Sequence, residues 1–435
     1  MNKKLFPILS AFLLLFSLIE KGQATETYRP ETSVAGFIQL PGSGRQVYNF
    51  NPGWRFFKGD IHGAESVDFD DRSWTIVSTP HTVELMPAEA SGCRNYQGPA
   101  WYRKHFVLPA ETKGKRVLIH FEAAMGKQVL YLNGKRIQEH VGGYLPFTLD
   151  LTTNGIQAGD SCLLAIFVDN SNDKSFPPGK PQYTLDFAYH GGIYRDVWMI
   201  AKSPVSITDP LDSQTVAGGG VFVHFDKISE KSAQVYVNTE LQNDNQHTET
   251  VTVETTLTDA DGKVIKRTSG KLSLKSGEKK IIRQQIEVKS PKLWSPDAPY
   301  LYKVQSRIKK GNQSIDGGIT RIGIRLAEFR GKDGFWLNGK PFVQLVGANR
   351  HQDFAYVGNA LPNSQQWRDA KRLRDAGCTI IRVAHYPQDP SFMDACDELG
   401  MFVIVATPGW QYWNKDVKFG ELVHQNTREM IRRDR

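Results

Sequence analysis

The sequence predicts a multidomain protein of the β plus α/β class, in which two β-sandwiches precede an α/β region. The first part contains short apolar runs separated by glycine and proline. Apolar and polar residues alternate in the second part, and strand-like segments alternate with helix-like segments in the third. The chain has 435 residues, of which 40% are hydrophobic and 23% are charged. This composition excludes a disordered, collagenous or coiled-coil protein, and the length corresponds to about two to four domains.

Residues 25–202 are predicted to form a two-sheet sandwich of the jelly-roll kind. The apolar runs 117–121 and 129–132 have the length of short strands, and Asn133-Gly134 is a strong signal for a tight turn after the second run. Residues 163–168 are continuously apolar, as in a buried strand. Several short strands separated by turn residues indicate a two-sheet sandwich.

Residues 203–327 alternate between apolar and polar side chains with the period of a β-strand. Asp261-Gly262 supplies a turn between two such segments. Alternating segments at this spacing predict an immunoglobulin-like sandwich. The residues predicted to share a face within each strand are Val235, Val237, Thr239 and Leu241 in one segment, and Val251, Val253, Thr255 and Leu257 in another.

Residues 328–435 change to a repeated strand–helix pattern, which predicts a parallel α/β sheet. Asp389 is predicted to cap the second helix, with Pro390 at its first position and Gly400 at its end. The first helix is predicted to carry Trp367, Ala370 and Leu373 on one face and to end at Gly377. The predicted strands are 342–346, 379–383 and 401–405, and the first and third helices are 365–376 and 419–433.

The first 24 residues are predicted to be a secretory signal peptide. Lys3 and Lys4 precede an apolar stretch, and small residues follow at Gly22 and Ala24. The sequence therefore predicts an exported protein, periplasmic or secreted, with an uncleaved N-terminal anchor as the alternative. No other long apolar segment follows, so no membrane association is expected after cleavage.

The charge of the chain bears on nucleic-acid binding, and its cysteine content bears on disulfide formation. The formal net charge of +8 comes from 54 basic and 46 acidic residues spread along the chain, which does not indicate a nucleic-acid binder. The spacing of the four cysteines requires no disulfide, and homo-oligomer formation stays open. These cysteines are Cys93, Cys162, Cys378 and Cys396.

Six short motifs occur along the chain from about residue 48 onward. They are Trp101-Tyr102-Arg103-Lys104, Leu132-Asn133-Gly134-Lys135, Gly191-Gly192-Ile193-Tyr194-Arg195-Asp196-Val197, Leu293-Trp294-Ser295-Pro296, Gly347-Ala348-Asn349-Arg350-His351 and Arg382-Val383-Ala384-His385-Tyr386-Pro387. In these motifs, their order and their spacing, the chain resembles glycoside hydrolase family 2, the β-galactosidase and β-glucuronidase group, whose first domain is a galactose-binding-like jelly roll.

The resemblance implies a sugar-binding jelly roll, an immunoglobulin-like sandwich and the start of a (β/α)8 TIM barrel. It implies a glycosidase that hydrolyses O-glycosyl bonds of terminal β-linked sugars, most simply a retaining β-galactosidase in carbohydrate degradation. The alternatives are a β-glucuronidase or β-mannosidase of the same family, a non-catalytic carbohydrate-binding remnant, and an adhesion module.

Retention requires two carboxyl groups, one to protonate the leaving oxygen and one to attack the anomeric carbon. The resemblance places these glutamates after barrel strands 4 and 7, beyond Arg435, so no catalytic carboxylate is predicted within the 435 residues. Three βα units cannot close a barrel of eight, and the chain is therefore predicted to be a fragment with a loose barrel portion.

The resemblance also implies a set of residues that bind the sugar. His351 and His385 follow the first two barrel strands, and Arg382 lies in the second. Asp186 matches a jelly-roll aspartate that reaches sugar hydroxyls. Trp410 follows the third strand, with Tyr412 and Trp413, and either stacks on a sugar face or packs within its loop.

Asp353 is predicted either to contact substrate or to hydrogen-bond within its loop. The third strand ends in Ala406-Thr407-Pro408-Gly409 without the carboxylates that serve magnesium in many relatives. We therefore expect no metal or other cofactor.

Overall fold

The computed structural model describes residues 31–32, 39–86, 95–212, 218–342 and 345–435. The predicted signal peptide and Cys93 lie outside these ranges. Among the described residues, no helix is both long and apolar enough to cross a membrane.

The first domain is a sandwich of two antiparallel sheets, with strand orders β1-β2-β11-β6-β9 and β4-β3-β5-β10-β7-β8. Asn133 and Gly134 both adopt positive φ and join β7 to β8, as predicted. The strands are β1 Glu31–Thr32, β2 Gln46–Asn49, β3 Trp54–Lys58, β4 Thr75–Val77, β5 Pro99–Val107, β6 Arg116–Phe121, β7 Gly126–Leu132, β8 Lys135–Gly142, β9 Phe147–Asp150, β10 Ser161–Asp169 and β11 Val197–Lys202. Short 3-10 helices lie at Ala110–Thr112 and Gln182–Thr184.

Aromatic residues fill the core between these two sheets. Trp54 and Phe50 are fully buried and meet edge to face, with ring centroids 5.8 Å apart. Lys104 is also buried, and its ammonium lies 4.2 Å from the centroid of the Phe50 ring and donates to the Phe50 carbonyl. Burial lowers the pKa of Lys104 well below its usual range. The apolar run at 163–168 forms the buried β10, as the sequence predicts.

The second domain is a smaller sandwich. One sheet contains β12, β14, β13 and β17, with β14 paired to the other three, and the facing sheet has the order β16-β15-β18-β19. All eight residues predicted to share a face in β14 and β15 are buried. The strands are β12 Val205–Ile207, β13 Val221–Asp226, β14 Ser232–Asn243, β15 Glu249–Thr258, β16 Val264–Leu274, β17 Lys279–Lys289, β18 Tyr302–Lys310 and β19 Gln313–Ile322, and a 3-10 helix lies at Pro210–Asp212.

The third region begins with a small antiparallel sheet and continues as a three-stranded parallel sheet with order β23-β24-β25. Asp389 accepts from the amide of Ser391 as the N-cap of α2, and Gly400 ends that helix with positive φ, as predicted. The elements are β20 Ala327–Phe329, β21 Phe335–Leu337, β22 Lys340–Pro341, β23 Gly347–Arg350, α1 Asn363–Asp375, β24 Ile380–Val383, α2 Pro390–Leu399, β25 Phe402–Val405 and α3 Val417–Asp434, with a 3-10 helix at Gly331–Asp333.

One prediction for this region is wrong in detail. The predicted buried strand at 342–346 is replaced by β23 at Gly347–Arg350, because parallel pairing with β24 begins at Gly347 opposite Ile380. Leu345 is 41% exposed, and residues 343–344 lie outside the described ranges. Trp367 of α1 is 41% exposed, and its indole nitrogen donates to the carboxylate of Glu398 in α2.

The three regions are joined by polar contacts between their sheets. Arg45 of the first domain binds Asp316 of β19 at 2.8 Å, where the Asp316 carboxylate is fully buried. Arg321 of β19 pairs with Asp394 of α2 at 2.7 Å. This ion pair holds α2 against the second sandwich.

Candidate functional site

The candidate site lies where a loop of the jelly roll meets the carboxyl ends of the parallel strands. The loop between β10 and β11 contributes Asp186 and Phe187, while His351 follows β23 and His385 follows β24. Parallel strands bring their carboxyl ends to one edge, where loops of an α/β barrel build a site. A small pocket at this edge is lined by residues of both domains, including Lys180, Phe187, His385, Tyr386 and Trp410.

Phe187 is the central contact between the two histidines. Its ring centroid lies 5.0 Å from that of His351 and 5.5 Å from that of His385, and the two imidazoles are 5.1 Å apart. Phe187 is buried, whereas both histidines are partly exposed. The jelly roll therefore supplies the apolar backing that fixes the two imidazoles next to each other.

Arg382 sets the proton position of His385. Nη1 of Arg382 is 2.9 Å from Nδ1 of His385, and a guanidinium only donates hydrogen bonds, so Nδ1 accepts. The proton of the neutral imidazole then lies on Nε2, which is available as a donor. The Arg382 guanidinium also lies 5.5 Å from the ring of Trp410, whose centroid is 5.3 Å from that of His385.

Both histidines are held in the neutral form near neutral pH. Burial is the largest cause lowering the pKa of His351 below its usual range, while Asp353 and Asp186 act in the opposite direction. Burial also lowers the pKa of His385, followed by the nearby His351 and Arg382. A neutral imidazole has one donor and one acceptor. Because Nδ1 of His385 already accepts from Arg382, its Nε2–H is the group that can donate to a ligand hydroxyl.

The two aspartates predicted near the site differ in their surroundings. Asp186 is exposed, and its charge reaches both His351 and His385. Asp353 is partly buried, with Oδ2 4.0 Å from Nε2 of the buried His190. Asp186 is thus free to contact a ligand hydroxyl together with the histidines, and Asp353 lies deeper, between His351 and His190.

Two stacked tyrosines pack next to His351 at the candidate site. The rings of Tyr144 and Tyr386 are nearly parallel, at 5°, with centroids 4.0 Å apart. The Tyr386 hydroxyl is 3.3 Å from Nδ1 of His351. Tyr144 belongs to the jelly roll and Tyr386 follows β24, so this stack joins the two domains beneath the histidines.

Arg195 is a buried residue that forms hydrogen bonds across the interface between the same two domains. Its guanidinium donates to the carbonyl oxygens of Tyr144 and Pro387 and to Oε1 of Gln352, at 2.8–3.0 Å. Nε of Arg195 is 3.9 Å from Oδ2 of Asp389, and both side chains are 1% exposed. Asp389 was predicted as a helix cap, and the structure gives it this second contact across the domain interface.

Burial and the nearby Asp389 raise the pKa of Asp196 to about 6. Asn51 and Asn363 donate to its two carboxylate oxygens at 2.9 and 2.8 Å. A carboxyl whose pKa is raised on folding stabilises the fold below its unfolded pKa and loses that contribution as pH rises through the folded value.

We expect the free energy of unfolding to fall by about 2 kcal/mol between pH 4 and pH 6 on account of Asp196. Asp196→Asn, which cannot ionise, removes this part of the pH dependence. Denaturant unfolding of both proteins across this pH range measures the difference. Identical pH profiles for the two proteins contradict the prediction.

We expect Arg382→Met to raise the pKa of His385, because the substitution removes a nearby positive charge that disfavours the imidazolium. An NMR titration of the histidine ring signals measures the change. Arg330→Met is the control, since Arg330 stacks on Trp336 near β20 and β21, away from the site. An unchanged or lower pKa of His385 in Arg382→Met contradicts the contact.

All five residues predicted to bind sugar lie around this edge. Among the described residues, Arg382 contacts His385 and Trp410. Phe187 and Tyr386 were missed as parts of the site, although each directly follows a predicted residue. Arg195 lies within a motif of the family, but its contacts with the other domain, like those of Tyr144, are visible only in three dimensions.

Three family profiles match the chain in succession. They are the sugar binding domain of glycosyl hydrolases family 2 over residues 64–204, glycosyl hydrolases family 2 over 219–325, and the TIM barrel domain of that family over 329–429. The chain belongs to glycoside hydrolase family 2. The predicted family and the predicted fold class are both confirmed.

Curated relatives extend this family assignment. A β-galactosidase of Thermoanaerobacter pseudethanolicus is 36% identical over 398 residues, which are 90% of this chain and 50% of that protein. A β-glucuronidase of Formosa agariphila is 33% identical over 381 residues, 84% of this chain and 38% of that protein. The family 2 chain described here thus spans half or less of the length of these relatives.

A solved structure shows the same architecture. Bacteroides uniformis β-glucuronidase 2, covalently bound to cyclophellitol-6-carboxylate aziridine, matches with a TM-score of 0.80 and 31% identity. The match covers 89% of this chain and 45% of the other. The family's relatives are glycosidases that hydrolyse O-glycosyl bonds, and their names divide between two sugar specificities.

Proposed function

We propose that this family 2 chain binds the terminal sugar of a β-glycoside as part of a retaining glycosidase, most simply a β-galactosidase. The observation that carries the proposal is the meeting of Asp186 with the neutral His351 and His385 at one edge of the parallel sheet. An exposed carboxylate beside two imidazoles offers both acceptors and donors to vicinal hydroxyls. The β-galactosidase of T. pseudethanolicus, at 36% identity, supports the choice of galactose.

The reaction needs a proton donor and an attacking carboxylate, which the family resemblance places after barrel strands 4 and 7. The residues described here supply the recognition of the sugar and none of that chemistry. Asp186, His351 and His385 position the ring, and Arg382 and Phe187 fix the imidazoles. The export predicted from residues 1–24 places this activity outside the cytoplasm, where carbohydrate polymers are degraded.

A β-glucuronide is the second candidate, favoured by positive charge at the site. The charges of Arg382 and Lys180 both act on His385, and Lys180 lines the pocket beside Trp410. A uronic acid brings a carboxylate that such cations attract. The β-glucuronidases of F. agariphila and B. uniformis among the similar proteins support this candidate.

Binding of methyl β-D-galactoside, methyl β-D-glucuronide and methyl β-D-mannoside, followed by saturation-transfer NMR, tests the proposal. We expect the galactoside to give the lowest Kd and His351→Ala to weaken it. Tighter binding of the glucuronide, reversed by Lys180→Met, favours the second candidate. Absence of binding for all three glycosides contradicts a sugar site in this chain.

A further inference from the structure

The segment between β25 and α3 exposes two large aromatic side chains beside the candidate site. Trp410 is 54% exposed and Trp413 is 78% exposed. An indole this exposed adds little to the core. Contiguous apolar surface that is exposed on a protein marks a site of interaction with a ligand or a partner. Tyr183, three residues before Asp186, is 74% exposed. We name Tyr183, Trp410 and Trp413 the aromatic rim.

Contacts between two loops hold the rim in place. Nδ2 of Asn414 donates to the carbonyl oxygen of Lys174 in the jelly-roll loop at 2.7 Å. Gly179 has φ +71°, and a Cβ there would lie 2.7 Å from Cδ1 of Tyr412, so glycine lets the two loops meet closely. Asp416 then caps α3 through the amide of Lys418. The tryptophans therefore stand on a segment anchored on both sides.

Trp410 connects the aromatic rim with the pocket at the candidate site. Trp410 lines the pocket together with Lys180 and is the neighbour of His385. Tyr183 belongs to the 3-10 helix Gln182–Thr184, in the same loop as Asp186. A ligand seated between Asp186 and His385 can thus extend outward over the rim.

Resting on the proposed function, we propose that the aromatic rim binds further sugar rings, so that the substrate class is a β-linked oligosaccharide and not a small glycoside. The C–H faces of a pyranose are apolar while its edge is polar. Tyrosine and tryptophan combine a flat apolar face with a polar edge, which matches such a ring. Side chains of Lys180 and Gln411 line the pocket beside Trp410 and offer polar partners to hydroxyls.

Calorimetric binding of β-1,4-galactotetraose, cellotetraose and β-1,4-mannotetraose to the full chain, each compared with its methyl glycoside, tests the proposal. We expect at least one tetrasaccharide to bind about tenfold more tightly than its methyl glycoside, a difference of about 1.4 kcal/mol. Trp413→Ala and Tyr183→Ala should remove that advantage and leave the methyl glycoside Kd unchanged. Phe329→Ala, which removes an 86% exposed aromatic from β20, should change neither.

The outcomes separate this proposal from the one on which it rests. If methyl glycosides bind but no tetrasaccharide binds more tightly, the sugar site stands and the rim proposal is overturned. If a tetrasaccharide binds more tightly and both rim variants retain the advantage, the rim proposal is also overturned. If neither the methyl glycosides nor the tetrasaccharides bind, the proposed function is overturned, and the rim proposal, which rests on it, is overturned as well.

Discussion

Replacement of Arg195 by methionine is expected to lower the Tm of the chain by about 10 °C, which corresponds to a loss of about 3–5 kcal/mol. Arg195 is buried and donates to groups on both sides of the interface between the jelly roll and the parallel sheet. Methionine fills similar space but removes the cation that pairs with the buried Asp389 carboxylate across the interface. Removal of one partner from a buried pair is strongly destabilising. Differential scanning calorimetry at pH 7 measures the shift.

Arg72→Met is the matched control for this prediction. Arg72 pairs with Asp70 at 2.7 Å, but both side chains are largely exposed. Exposed pairs contribute little, so we expect no measurable change in Tm. Equal Tm values for Arg195→Met and the unaltered chain would mean that the interface does not depend on this guanidinium.

We expect Asp186→Asn to weaken binding of the preferred methyl glycoside by about 10- to 150-fold. A hydrogen bond to a charged group contributes about 1.5–3 kcal/mol, and each 1.4 kcal/mol changes Kd about tenfold. Asp186 is exposed on a loop, so the substitution should leave Tm unchanged. Titration calorimetry provides Kd for both proteins.

Asp226→Asn on β13 makes the same change of charge on an exposed residue of the second sandwich. It should leave Kd unchanged, which distinguishes a contact at the site from a general electrostatic effect. Equal Kd values for Asp186→Asn and Asp226→Asn would show that Asp186 does not touch the sugar.

Local patterns predicted most of the fold. The alternation at Val235 and Val237 identified the buried face of β14, and the Asp389-Pro390 pair identified the start of α2. Each of these signals depends on residues close together in the chain. The prediction for residues 342–346 failed because an apolar run does not reveal where pairing with a distant strand begins, and here it begins at Gly347.

The candidate site was only partly predictable for the same reason. His351 and His385 could be named because each ends a strand of a recognisable family motif. Phe187 and Arg195 act through contacts with residues far along the chain, and no local pattern distinguishes such a role. The exposure of Trp413 depends on how two loops meet, which sequence spacing does not encode.

The most direct test of a shared sugar site is a crystal structure of this chain with methyl β-D-galactoside bound. We expect one sugar ring with hydroxyls within hydrogen-bond distance of the Asp186 carboxylate and of Nε2 of His385, next to the Phe187 ring that packs against both histidines. A sugar bound instead in the cleft between the two sandwiches, near Lys113 and Asp244, would contradict it.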